Sequence, residues 1–459
     1  MTSNSCIKNL PDEVLAKIFS AVENAIWELP SPALLSSVCR HWQMLAQHTP
    51  ELWVNIIVPL HKSPEDCKRW TADWIARSGV LLISVMISDT SVKTRMTPLL
   101  KTNIMDLLSQ HSERICSLAL YTVYSSSIES FFGELPSAPN LQQLTMIYSY
   151  NNSTSWIQVG SQRQYSLDFP KLTVLKTQGL MVPSISNLTS LTIDKLFGSY
   201  YAISQIFTTS PGLKCLTLRH LLPLSTVVSP SALIRVDSLH SLAVSLVHWS
   251  QPPGHRSPYI LQCLVMSNVK YLELDGDAWK TSDFGQSLSS AQIDTLRISN
   301  RSEKSFDADT FNFLHSFTTV RHLQLVHAST QSLLSKRVHG LVRTTSINFR
   351  KLQPNQPVSA DVWSELRIIT LDTLTAADVA NLCNFIAFHK HVQVVELSRS
   401  AKRHLSSSLY RKDDTVYQRP SLFKAAGSEE GLNDVEEWLG KMVEIRVLRS
   451  PSVGLLDAD

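Results

Sequence analysis

The 459-residue sequence lacks the long apolar run of a membrane-spanning helix. No stretch approaches the roughly 18 consecutive apolar residues that such a helix needs. The opening residues, MTSNSCIKNLPDEV, also lack the apolar core of a secretory signal. These two absences predict an intracellular protein, located in the cytoplasm, the nucleus or both, with no membrane partner.

Disulfide patterns, metal sites and catalytic motifs are missing as well. The seven cysteines are an odd number, lie far apart and form neither a CxxC pair nor a Cys/His spacing suited to zinc. There are 14 glycines and no Gly-rich phosphate loop, HExxH or GxSxG motif. The formal charge of +3 is too small to indicate a nucleic-acid partner. We therefore expect no metal, no cofactor and no catalytic residue, and we predict that the protein is not an enzyme.

The part of the sequence with the clearest pattern is the first sixty residues, which predict three short helices. In NLPDEVLAKIFSAV, the side chains of Val14, Leu15, Ile18 and Phe19 recur at helical spacing and form an apolar face. A second helix is expected in PALLSSV, where a proline stands at the first helical position. A break near Cys39 separates it from the third helix.

The third helix carries more apolar surface than one small neighbour covers. Val38, Trp42 and Leu45 lie at helical spacing in VCRHWQMLAQHTPELW, and Trp53 follows the break at Pro50. Three helices of this length bury a small fraction of their surface, so such a unit gains stability from a partner. The alternative is that Trp42 and Trp53 pack beneath the domain that follows.

Five short motifs in this region carry a resemblance to a known family. They are Leu10-Pro11-x-Glu13, Ile18-Phe19, LLSSVCRHW, LA and TPELW. In this order they resemble the F-box, most closely the version abundant in mushroom-forming fungi. F-box proteins dock on the Skp-family adaptor of SCF ubiquitin ligases and through it on the cullin, so the resemblance implies both partners. The resemblance places these residues at the adaptor contact: Leu10, Pro11, Glu13, Ile18, Phe19, Val38, Cys39 and Trp42, with Leu45, Leu52 and Trp53 at less diagnostic positions.

Beyond residue 80, a six-residue pattern of the form apolar-x-x-apolar-x-apolar returns fourteen times. Examples are ICSLAL at Ile115, VKYLEL at Val269 and VQVVEL at Val392. Short alternating strands at intervals of mostly 22 to 33 residues, separated by helical stretches, are typical of a leucine-rich-repeat solenoid. The alternative is that a chain rich in Leu, Ser and Thr produces such hexamers by chance.

The predicted fold class is therefore α/β, an irregular leucine-rich-repeat horseshoe preceded by a small all-α F-box. The expected domains are an F-box at residues 1–60, a helical connector at 61–80 and the solenoid at 81–459. Three polar loops are expected to interrupt the repeats: SYNNSTSWIQVGSQRQYS, SQPPGHRSPY and the long segment at 398–434. We assign no chemistry to these loops.

The alternation within each hexamer predicts which side chains lie on the exposed face of the strands. The larger polar groups of that face are Tyr271, Glu273, Arg297, His322, Gln324, Asn348 and Arg350, and we interpret them as the surface that binds a target protein. Glu273, Arg297, Gln324 and Asn348 are expected to form one ladder. A pair between Glu273 and Arg297 on an exposed face would contribute only about 0–1 kcal/mol, so stability gives weak reason for charges there.

The function predicted from these patterns is substrate recognition in an SCF ubiquitin ligase, with the F-box on the adaptor and the repeats on an unknown target protein. One alternative keeps the F-box without a ligase and makes the protein a scaffold or orphan interaction protein. Another is an extracellular leucine-rich-repeat receptor, which the missing signal peptide and the odd cysteine count oppose.

Overall fold

The structure is a computed structural model that describes the chain with gaps. The described residues are 10–25, 32–60, 62–89, 98–122, 137–148, 169–178, 185–194, 200–221, 233–246, 260–276, 279, 284, 288, 290–299, 310, 313–314, 316–326, 363–374, 379, 382–383, 385–386, 389–407 and 435–448. The chain divides into two compact units. One comprises Met1–Phe197 with Tyr201–Gly212, and the other comprises Gly198–Tyr200 with Leu213–Asp459.

The first unit combines helices at its start with a parallel sheet. Its helices are α1 (Asp12–Ala25), α2 (Pro32–Val38), α3 (Arg40–Gln47), α4 (Pro64–Arg77), α5 (Pro98–Gln110) and most of α6 (Tyr200–Thr209). Short 3-10 turns lie at Pro50–Trp53 and Ser112–Arg114. Its strands are β1 (Asn55–Val58), β2 (Ile83–Asp89), β3 (Ile115–Thr122), β4 (Gln143–Tyr148), β5 (Val174–Gln178) and β6 (Ser190–Asp194).

The boundaries of α2 and α3 follow from the residues at their ends. Pro32 is the first residue of α2, where its missing N–H costs no helical hydrogen bond. Cys39 interrupts the two helices with an extended backbone, and its Sγ accepts a hydrogen bond from the Trp42 amide at 3.5 Å. The predicted break near Cys39 and the three predicted helices are therefore confirmed.

Helix α4 lies in the segment that the sequence predicts to be a helical connector. Ser63 caps its start, because the Ser63 Oγ accepts from the Asp66 amide at 3.2 Å, and Pro64 follows at the first helical position. Its end is held from the Ser112–Arg114 turn, which directly precedes β3: the Arg114 guanidinium donates to the carbonyl oxygens of Leu81 at 3.0 Å and Ile75 at 3.3 Å. Arg114 thereby ties the end of α4 to the sheet.

In the described part of the first unit, six strands pair in chain order, and every pair is parallel. The buried side of this sheet carries the apolar positions of the hexamers, among them Val85, Leu118, Leu144, Leu175 and Leu191. Since neighbouring side chains of a strand point to opposite faces, the intervening polar residues lie on the other face.

The second unit contains a larger parallel sheet. Among the residues described for this unit, eight strands pair in the order β7 (Cys215–Leu221), β9 (Ser241–Leu246), β11 (Tyr271–Asp275), β12 (Thr295–Ser299), β13 (His322–Val326), β14 (Ile368–Leu371), β15 (Val394–Leu397) and β16 (Glu444–Val447). A separate parallel pair joins β8 (Ile234–Arg235) to β10 (Leu264–Val265). Helices α7 (Arg399–Ser407) and α8 (Val435–Met442) lie between β15 and β16 in the chain.

The sequence predicts most of these strands. The hexamer TTSINF at Thr344 lies outside the described residues, and each of the other thirteen overlaps a strand. The pattern missed β1, β8 and β10. It was wrong at the start of the third polar loop, because Arg399–Ser407 is helical: the Ser398 Oγ accepts from the Ala401 amide at 3.1 Å and starts the helix. The other two predicted loops lie outside the described residues.

Candidate functional site

Exposed apolar side chains are concentrated on the first three helices. Val14 and Ile18 on α1, Leu34 and Val38 on α2 and Met44 on α3 are each 40–59% exposed. Large apolar groups that stay exposed on several packed helices are typical of a surface that binds another protein. We call these five residues the apolar strip.

The residues that the F-box resemblance places at the adaptor divide into an accessible and a buried set. Pro11, Glu13, Ile18, Val38 and Cys39 are exposed, and Leu10, Trp42 and Leu45 are half-buried. The remaining three lie in the chain's own core, with exposed fractions of 3% or less: Phe19, Leu52 and Trp53. The chain itself covers these three side chains, and their contact with the adaptor stays a prediction from the resemblance.

The two tryptophans of the opening region have different surroundings. Trp42 is half-buried and packs on Phe19, with ring centroids 4.7 Å apart. Trp53 is buried, donates its Nε1 hydrogen to the Ala46 carbonyl oxygen at 2.7 Å and lies edge-on to Trp74 of α4 at 5.1 Å. Trp53 thus joins the first helices to α4 inside the chain, whereas Trp42 lies partly at the surface.

Comparison with known proteins identifies this helical region. Residues 7–58 match the F-box-like family. The chain carries an F-box-like domain. The match begins before α1 and ends at the last residue of β1, so it covers the apolar strip and Trp53. F-box domains generally bind Skp-type adaptors. A search of curated proteins finds no match for the chain.

A second candidate site is a row of side chains that crosses the sheet of the second unit. The strand register places Glu273 opposite Arg297, Arg297 opposite Gln324 and Gln324 opposite Thr370. The predicted alignment of the first three is therefore confirmed. Strand β14 pairs directly with β13, and Thr370 lies opposite Gln324 there. Asn348 and Arg350 lie outside the described residues.

The row continues beyond the residues that the sequence singled out. Thr370 lies opposite Glu396, and Glu396 lies opposite Arg446. Thr370 occupies the fifth position of the hexamer LRIITL, and Glu396 occupies the fifth position of VQVVEL. The same alternation that selected Glu273 would have found them, had it been extended to the later repeats.

The first half of the row is a buried polar network. The Arg297 Nε donates to the Glu273 Oε1 at 3.1 Å, and both side chains are 0% exposed. The Tyr271 hydroxyl donates to the other oxygen of Glu273 at 3.1 Å, and Arg297 Nη1 donates to the Gln324 Oε1 at 3.3 Å. The expectation of an exposed pair is therefore wrong. Because both charged groups are buried, Glu273 and Arg297 form an internal ion pair of this unit and are not part of its surface.

The second half of the row stays partly exposed and contains a chain of hydrogen bonds. The Thr370 hydroxyl donates to Glu396 Oε2 at 2.8 Å. Because that uses the only hydroxyl proton, the contact of 2.7 Å between His322 Nε2 and Thr370 Oγ1 requires a proton on Nε2. Burial lowers the pKa of His322, and the nearby Glu396 carboxylate opposes that shift. His322 and Glu396 are 23% and 20% exposed, so this half is accessible to a partner.

Three cysteines of the described part of the chain are buried: Cys67, Cys263 and Cys383. Burial raises the pKa of the Cys383 thiol to about 12 and also raises the pKa of Cys67 and Cys263. A thiol with a raised pKa stays protonated and is a weak nucleophile. Among the described residues, no three His, Cys, Asp or Glu side chains are grouped to hold a metal ion. In the same residues, no helix has both the length and the apolar character to cross a membrane.

Proposed function

We propose that this protein is the substrate-recognition subunit of an SCF ubiquitin ligase. The observation that carries the proposal is the coincidence of the F-box-like match with the apolar strip on α1, α2 and α3. In this role the F-box-like domain binds the Skp-type adaptor and, through it, the cullin. The protein contributes proximity rather than chemistry, since holding a target beside the ubiquitin-conjugating enzyme raises its effective concentration there.

The adaptor contact is tested by charge introduction on the apolar strip. Val38→Asp and Ile18→Asp each place a carboxylate in a contact that must exclude water. Loss of a central apolar contact often costs more than about 2 kcal/mol, or roughly 30-fold in affinity. Co-purification of adaptor and cullin with the full chain from cells is the measurement.

Leu82→Asp is the matched control for these variants. Leu82 is 45% exposed, as Ile18 is 43% exposed, but it lies outside the F-box-like match. The proposal expects the Leu82 variant to retain the adaptor while both strip variants lose it. Equal retention by all three would overturn the proposed docking surface, and retention of adaptor without cullin would favour a scaffold that acts outside a ligase.

We further propose that the parallel strands belong to irregular leucine-rich repeats and that the accessible half of the polar row binds the target. The support is the in-register pairing of the hexamers and the partial exposure of His322 and Glu396. Tyr271 and Gln324 bond to the buried pair but are themselves partly exposed, at the border of the accessible half. Glu273 and Arg297 then act as internal support, and Asn348 and Arg350 remain proposals from the sequence alone.

Proximity labelling under proteasome block tests the target surface. Glu396→Gln is nearly isosteric and removes the charge from the accessible half of the row. Glu365→Gln is the control, because Glu365 is also partly exposed and pairs with Arg321 at 3.0 Å outside this row. Proteins that are labelled by the wild type and the control but lost with Glu396→Gln would be targets. An unchanged set of labelled proteins would refute the site.

Three remaining proposals concern the domain boundaries, the absence of catalysis and the location in the cell. The domains are proposed as an F-box at residues 1–60, a connector at 61–80 and repeats at 81–459. The protein is proposed to be non-catalytic and to act in the cytoplasm or nucleus, where SCF ligases assemble. Cell fractionation and microscopy of the tagged full chain test the location.

A further inference from the structure

A pocket beside the F-box-like helices has no role in the docking surface described so far. It has a volume of about 360 Å³ and lies among α2, α3, the Pro50–Trp53 turn and α4. The indole rings of Trp53, Trp70 and Trp74 form its aromatic wall: Trp70 stacks on Trp74 at 4.5 Å, and Trp53 meets Trp74 edge-on. Its space is sufficient for one polar side chain of a partner.

The strongest polar group in the pocket is the Arg77 guanidinium. It lies over the ring of the buried Trp53, 4.3 Å from the ring centroid. Stacking occupies the flat face of a guanidinium and leaves the N–H groups at its edge available to acceptors. Within the described part of the chain, no carboxylate lies within ion-pair distance of Arg77, although Asp73 stands one helical turn earlier. Arg77 is therefore a donor fixed by stacking on Trp53, and no acidic partner for it lies among the described residues.

The facing helices determine which ligand chemistry fits. Gln43 and Gln47 of α3 line the pocket with amide groups, which donate hydrogen bonds to an acceptor. Ser36 and Ser37 of α2 also line it, but their hydroxyls already donate to the carbonyl oxygens of Pro32 and Leu34. The available donors thus come from Arg77 and the two glutamines, and this set favours a carboxylate.

The position of the pocket indicates where that carboxylate comes from. Ser36 and Ser37 line the pocket, while Leu34 and Val38 of the same helix belong to the apolar strip. Successive residues of a helix differ by about 100°, so the pocket and the strip lie on adjacent faces of α2. A protein seated on the strip therefore has its edge at the pocket.

We propose that the pocket binds an aspartate or glutamate side chain of the adaptor, with Arg77 as its main hydrogen-bond donor. This inference rests on the proposed adaptor docking and adds a polar, charge-selective contact to it. Asp73 lines the same pocket and repels an incoming carboxylate. Asp73 also makes the sign of the ligand testable, because its removal has opposite effects on an acidic and on a basic occupant.

The experiment measures the affinity of the purified adaptor for the full chain by surface plasmon resonance. Arg77→Gln is expected to weaken binding about 10- to 100-fold, and Arg77→Lys, which keeps the charge without the planar fork, is expected to weaken it less. Asp73→Asn is expected to tighten binding by up to about 5-fold. The control Arg69→Gln removes another α4 cation that pairs with Asp66, and it should leave the affinity unchanged.

Adaptor carboxylates are then neutralised one at a time, by Asp→Asn or Glu→Gln, and combined with Arg77→Gln. One carboxylate should show coupling: its neutralisation weakens the wild type but has no further effect on Arg77→Gln. Near-UV circular dichroism of each variant checks that the tryptophan cluster is intact. Should that spectrum change in Arg77→Gln, Gln43→Leu combined with Gln47→Leu provides the test, since both side chains are exposed.

The outcomes separate the two proposals. If the wild type binds the adaptor and the Arg77 or glutamine variants bind equally well, the pocket proposal is wrong and the docking proposal stands. Weaker binding by Asp73→Asn would show a basic occupant and overturn the acidic one. If the wild-type chain does not bind the adaptor at all, both proposals fall.

Discussion

Removing one partner of the Glu273–Arg297 pair should destabilise the protein strongly. Both side chains are 0% exposed, and the pair is joined at 3.1 Å. Arg297→Met keeps the length of the side chain but leaves the Glu273 carboxylate buried with the Tyr271 hydroxyl among its remaining donors. Breaking a buried pair in this way typically costs about 3–5 kcal/mol. Since domains are stable by about 5–15 kcal/mol, such a loss is readily measured.

Removing both partners should restore much of that loss. In Glu273→Leu combined with Arg297→Met, no charge is left buried, and apolar replacements of similar volume are often neutral or stabilising. Urea unfolding of the full chain, followed by circular dichroism, measures the free energy of unfolding for the four members of this cycle. We expect a coupling energy of several kcal/mol between the two positions.

An exposed pair from the same sheet region provides the control. The Arg321 Nε lies 3.0 Å from the Glu365 Oε2, but these side chains are 64% and 44% exposed. Arg321→Met should therefore change stability by only about 0–1 kcal/mol. The reasoning would be refuted if Arg297→Met were as mild as Arg321→Met, or if the double variant at 273 and 297 were less stable than both single variants.

Three further substitutions test other contacts, each by urea unfolding. Arg114→Ala should cost about 1.5–3 kcal/mol, because its guanidinium caps carbonyl oxygens at the end of α4 and donates to the Ser78 hydroxyl. Ser63→Ala should cost about 1 kcal/mol through the lost helix cap, and a neutral result would contradict that role. Because folding lowers the pKa of His322, this residue binds a proton more readily in the unfolded chain than in the folded one as the pH falls below about 6.5. Stability should fall in that window, and less steeply in His322→Asn; parallel curves would refute the assignment.

The strands were predictable because each hexamer obeys a local rule. Alternation of apolar residues defines a half-buried strand without any knowledge of its neighbours. Strand β1 lies before residue 80, where the repeating pattern begins, and the two residues of β8 give too little alternation to recognise. Helix α7 was missed for another reason: its sequence, RSAKRHLSS, is polar, and the burial of Ala401 and Leu405 together with the Ser398 cap stabilises it as a helix.

Burial of the predicted site residues was not predictable in the same way. The alternation assigns Glu273 and Arg297 to the same face as Gln324, which is correct, but it cannot tell what covers that face. A charged residue in a sequence indicates an exposed position on average, because burying a lone charge is expensive. The exception arises when an opposite charge stands across the strands, and that depends on the register of two segments 24 residues apart.

The two halves of the polar row share strand β13, and this affects how substitutions there must be interpreted. Gln324 of β13 accepts from Arg297, while His322, two residues earlier on the same face, contacts Thr370. A one-residue slip of a strand moves all its side chains to the opposite face, so contacts that hold β13 in register also hold His322 toward Thr370. Loss of target binding in Arg297→Met would therefore not identify Arg297 as a contact residue. Glu396→Gln leaves β13 and its buried partners intact, and only a loss of target with that variant assigns recognition to the accessible half of the row.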